Sequence, residues 1–113
     1  MSLIERVERG EIEPEVSRPD RARLVHGDPV HSTWSVENGP GVFAGIWQST
    51  PGKWQVRYDE WEYVYIHKGH SILTGADGQA VHLMAGDSYV IRPGCEGTWE
   101  VVESTVKDYV IVA

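Results

Sequence analysis

The side chains with the most chemical reach are five histidines (His26, His31, His67, His70 and His82), one cysteine, Cys95, and the charged pair Arg57 and Glu62. Three convergent histidines would make a metal site, and a cysteine beside a base would make a nucleophile. The spacing supports neither plainly. His67 lies five residues after Glu62, an odd separation that puts the two on opposite faces of a strand. His67 and His70 flank Gly69 and read as solvated or paired with acidic neighbours. His82 falls mid-way along a strand-like run and is the histidine with an interior place to go. Cys95 sits between Gly94 and Glu96, not in the electropositive setting that activates a thiol, so an inert cysteine is expected. Arg57 and Glu62 matter more. On an open sheet they would form a weak surface ion pair, but inside a barrel a charged side chain needs a partner or a function. Both readings of that pair, structural and ligand-binding, stay open.

The elements that must position these groups are short and extended. Residues 1–30 form a polar N-terminal arm with Pro14, Pro19 and Pro29, where only Leu3, Ile4 and Val7 hint at a helical turn over Leu3–Arg9. Residues 31–113 read as a single domain of runs rich in Val, Ile, Tyr, Trp and Thr, cut by Gly, Pro and Asp. The runs are Val42–Gln48, Lys53–Tyr58, Glu62–His67, His70–Thr74, Ala80–Met84, Ser88–Arg92, Thr98–Glu103 and Lys107–Ala113, with a possible further strand at Trp34–Val36. Asp77-Gly78 is a tight-hairpin signal, and Gly69 is expected to turn the chain. Along Lys53–Tyr58, Trp54, Val56 and Tyr58 alternate with Gln55 and Arg57. No amphipathic helix of three turns fits, so a sandwich or closed barrel is predicted.

Composition narrows the function classes. The chain has 113 residues, 41% apolar and 24% charged, enough for one domain with a core that needs no metal or disulfide staple. Ten Lys+Arg against seventeen Asp+Glu give a net charge of −7, a poor balance for nucleic acid. No apolar run is long enough to span a membrane as a helix, and MSLIERVERG does not read as a secretory signal. One cysteine forms no internal disulfide, and the expected location is cytoplasmic.

The run from Gly52 to Glu62 (GKWQVRYDEWE), followed by Gly69, resembles the first cupin motif. The run from Gly86 to Gly94 (GDSYVIRPG), followed by Gly97-Thr98-Trp99, resembles the second. Together with Trp47, Pro51-Gly52-Lys53, Tyr58 and Glu62, these elements are similar to the small single-domain cupins related to ureidoglycine aminohydrolase, over residues 24–113. The resemblance implies an all-β, cupin-type (RmlC-like) jelly-roll barrel with an extended N-terminal arm, paired as a homodimer through that arm.

The resemblance also implies an interior metal held by two histidines and a glutamate from the first motif and a third histidine from the second. Here the two histidine positions fall on Gln55 and Arg57, or on Val56 and Tyr58 if the spacing shifts by one, and the last falls on Gly97. Only Glu62 remains of that set, so no metal and no other cofactor is expected. The same positions would bring Gln55, Arg57, Glu62 and Trp99 together in the barrel mouth, with His82 added from its strand. The implied ligand is a small polar metabolite carrying nitrogen or a carboxylate. If there is turnover, it would be that of a ureidoglycine aminohydrolase-like hydrolase or lyase. The competing expectation is a non-catalytic sensor or accessory module.

Overall fold

The computed structural model describes residues 2–113, and among these there is no helix. Nine strands form one strongly curled antiparallel sheet. They are β1 (Glu15–Ser17), β2 (Leu24–Gly27), β3 (His31–Asn38), β4 (Val42–Ser49), β5 (Gly52–Arg57), β6 (Trp61–Gly75), β7 (Ala80–Met84), β8 (Ser88–Ile91) and β9 (Glu96–Val112). The curl follows from two long strands. One edge of β9 is shared in halves, with β5 against Glu96–Val101 and β4 against Thr105–Val112. Its other edge pairs with β6 along nearly its whole length. β6 in turn carries β8 beside Glu62–Tyr65 and β7 beside His70–Thr74. A strand shared this way must bend, and the result is the expected jelly-roll barrel.

Period-two alternation decides what fills it. Trp54, Val64, Ile66, Leu83, Trp99 and Val101 are buried and pack into one core cluster. On β6 the inward positions are 62, 64 and 66, and then 71 and 73, so the parity switches between the two halves. That switch corrects the expected turn at Gly69: the chain does not reverse there but runs on as a bulged strand. Gly69 holds φ +95°, and a side chain on it would run into the Ser104 carbonyl. The two C-terminal runs likewise merge into the single strand β9. The Asp77-Gly78 hairpin forms as predicted, with Gly78 at φ +84°.

The arm is more regular than its composition implied. β1 adds to the edge of β3 and β2 to the edge of β5, capping two otherwise open sheet edges. Leu3–Arg9 is not helical, and Leu3 and Ile4 stand in solvent. With both side chains this exposed, little apolar burial supports a helical turn, and a lone turn is unfavourable without it.

Candidate ligand site

Sequence alternation and the curl together aim a small set of polar groups into the barrel. Glu62 starts the inward row of β6, and Lys107 lies in the inward row of β9 with Trp99, Thr105 and Tyr109. Lys107 Nζ donates to Glu62 Oε2 at 3.2 Å, with both side chains nearly excluded from solvent. The ammonium also stands 4.6 Å from the ring centre of Trp47 on β4 and 4.5 Å from that of Trp99. Two indole faces and a carboxylate thus replace the water the ammonium has lost, which is what a buried lysine requires. The pair lies in the wall of a cavity of about 470 Å³. Thr33, Ser35 and Asn38 supply further polar groups to it, Phe43 and Tyr109 apolar surface, and Glu60 a second carboxylate.

His31 and Tyr58, which feel the charges of Lys107 and Glu62, are themselves neutral. His31 packs against Trp54 and Trp47, with ring centres 4.6 and 5.3 Å away, and its Nδ1 lies 2.9 Å from Ser49 Oγ. Burial, and then the charge of Lys107, bring its imidazole down to about 4, so it is uncharged at neutral pH. Burial first, then Glu62 and Cys95, push the Tyr58 phenol well above its ordinary range, so it keeps its proton. Trp99 Nε1 donates to Ser71 Oγ at 3.2 Å, and Ser71 Oγ is 2.7 Å from Thr105 Oγ1. The site therefore offers two carboxylates, one of them paired with the ammonium, together with neutral donors.

Of the pocket expected from the motif, only Glu62 lines the cavity. Trp99 is inside the barrel but buried in its core, and Arg57 and Gln55 face outward. Arg57 Nε lies 3.4 Å from Asp59 Oδ1 and 3.6 Å from Glu96 Oε1, with its side chain 64% exposed. Both residues line an open outer groove with Arg23, Thr74 and Thr98. The reason is a one-residue difference in spacing: counted back from Glu62, the inward positions are Val56 and Tyr58. A slip of one flips every side chain of a strand, and burying Trp54 and Val56 is far more favourable than burying Gln55 and Arg57. The alternation of Trp54, Val56 and Tyr58 was the available signal. His82 also points outward, hydrogen-bonded to His70. Lys107 was missed because it lies outside both motifs and 45 residues from Glu62. Its place between Thr105 and Tyr109 in an alternating run was the only local sign.

The metal usual for the fold does not fit these residues. Val56 and Tyr58 hold the inward positions of the first motif, and neither is a histidine. At Gly97 a side chain would collide with the Thr74 carbonyl. The remaining ligand, Glu62, is held by an ammonium. Among the described residues no three His, Cys, Asp or Glu side chains cluster as a metal site.

The model of the EutQ-like cupin domain matches residues 36–109. No curated protein matches the chain. Among solved structures, the chain is similar to a Pseudomonas syringae pv. tomato protein of unknown function, with TM-score 0.77 and 19% identity over 89% of this chain and 44% of that one. It is also similar to the EutQ protein of Clostridium difficile, with TM-score 0.68 and 18% identity over 74% of this chain and 63% of that one. Ectoine synthase from P. lautus shares the fold at TM-score 0.65 and 13% identity, over 84% of this chain and 67% of that one. The chain thus spans 44% and 63% of the first two structures, and at these identities the likeness is one of fold.

Proposed function

The chain belongs to the EutQ-like cupin family, and from that premise we propose that its barrel binds a small polar metabolite without a metal. The observation that carries this reading is the Glu62–Lys107 pair in the cavity wall. Paired charges of both signs suit a ligand that itself carries both, or an amide: a carboxylate or carbonyl turned to Lys107, and an ammonium or amide N–H turned to Glu62. Thr33, Ser35 and Asn38 give such a ligand further hydrogen-bond partners. The resemblance to cupins related to ureidoglycine aminohydrolase supports a nitrogen-bearing metabolite, such as a ureide or an amino acid.

A second reading rests on how fully Lys107 is already satisfied, by a carboxylate and two indoles. In that case the pair is an internal substitute for the metal, and the domain is a non-catalytic accessory or sensor module. Thermal melting with panels of amino acids, ureides and dicarboxylates separates the two. A ligand that binds only the folded chain raises its melting temperature. A panel member should do so in the wild type but not in the Glu62→Met/Lys107→Met variant, and chelators should leave both unchanged. No shift from any class, or equal shifts in both proteins, would favour the second reading.

A further inference from the structure

The outer face of the β6–β7 hairpin carries a side-chain cluster that the barrel interior does not use. His70 on β6 and His82 on β7 are diagonal neighbours, since His70 pairs with Met84 and Ile72 with His82. Ser71, Leu73 and Leu83 occupy the buried inward positions, so alternation turns both imidazoles outward. His70 Nε2 and His82 Nδ1 are 2.8 Å apart, and the rings stack with centres 5.1 Å apart and planes 28° from parallel. Among the described residues, the histidines that meet carboxylates are His26 and His67, not these two.

Two neutral imidazoles meet at this distance by sharing one hydrogen, one nitrogen donating and the other accepting. Moving that hydrogen to the far nitrogen of its own ring leaves two lone pairs side by side, with no net gain or loss of protons. Two nitrogens each about 2.0–2.1 Å from one ion stand ~2.9 Å apart at a right angle, and ~3.4 Å apart at a tetrahedral angle. The observed spacing fits the right angle, which belongs to tetragonal copper(II) or nickel(II) and not to tetrahedral zinc.

We propose that His70 and His82 form a bidentate transition-metal site on the outside of the barrel, taking copper(II) ahead of nickel(II). Water completes the coordination, and Met84, exposed and opposite His70, borders the same face. The ion would tie β6 to β7 and stabilise the folded chain, because the two nitrogens are brought together only by the hairpin. Nothing in this site touches Glu62 or Lys107, so it stands or falls apart from the interior pocket.

Copper(II) titration of the untagged full chain, read by calorimetry and electron paramagnetic resonance, tests this. The expected result is one equivalent with two equatorial imidazole nitrogens and a raised melting temperature. His70→Ala and His82→Ala should each weaken binding by roughly tenfold or more and remove the two-nitrogen signature, while His26→Ala and His67→Ala leave it intact. His82→Gln replaces either alanine variant that circular dichroism shows to be unfolded. A wild type that takes up no copper at equimolar concentration overturns the site. So does equal binding by the His70→Ala/His82→Ala double variant.

Discussion

At the scale of single residues, the Glu62–Lys107 pair dominates because both charges are almost fully buried. Removing one partner leaves the other desolvated and alone, so Glu62→Ala and Lys107→Ala should each cost about 3–5 kcal/mol in chemical denaturation. The Glu62→Met/Lys107→Met variant, with neither charge to bury, should recover much of that loss. Arg57→Ala, at an exposed pair, should cost less than about 1 kcal/mol. His31 makes a pH prediction. Its folded imidazole titrates near 4, against 6.5 when unfolded, so between those values the unfolded chain holds the extra proton. Stability contributed by neutral His31 is complete above 6.5 and is lost as pH falls towards 4. Melting temperatures of wild type and His31→Gln measured across that window should converge as the pH is lowered, and parallel curves would count against a buried neutral His31.

At the scale of elements, the long strands β6 and β9 do the shaping, and they need glycine where their backbones come close. Gly69 and Gly78 both have positive φ, but only Gly69 faces a neighbouring backbone. Gly69→Ala should therefore cost on the order of 2–4 kcal/mol, combining backbone strain with a steric clash. Gly78→Ala, with open space around it, should cost about 1 kcal/mol. Equal losses at the two positions would mean that β6 and β9 do not approach as described. The sequence marked Gly69 as special but gave the wrong reason. A positive-φ glycine serves a turn or a bulge equally well, and only the partner strand running past it decides which.

At the scale of the whole molecule, the arm and the sheet edges leave apolar side chains in water: Leu3 and Ile4 almost fully, and Val16 of β1 and Val25 of β2 about half. Large exposed apolar surfaces are uncommon on chains that stay single. A homodimer formed through the arm is the expected state, and light scattering at micromolar concentration should give twice the 12.7 kDa chain mass. A single-chain mass there, or a dimer unaffected by deleting the first ten residues and charging Val16, would remove this expectation.

The all-β class and the Asp77-Gly78 hairpin were legible because local chemistry settles them, whereas the inward places of Glu62 and Trp99 were legible only through the motif resemblance. Turn residues, β-branched runs and period-two alternation act over a few residues at a time. Alternation shows that a strand has two faces, but not which of them the barrel closes over. On β5 that choice went to Trp54 and Val56 because three other strands brought Trp47, Trp99 and Val64 against them. Lys107 became the partner of Glu62 for the same kind of reason: β6 and β9 pair across 45 residues of sequence, and the ammonium settles where two indoles and a carboxylate exclude water. Contacts of that range depend on register between distant strands, which no local pattern encodes, and so the tertiary structure alone decided them.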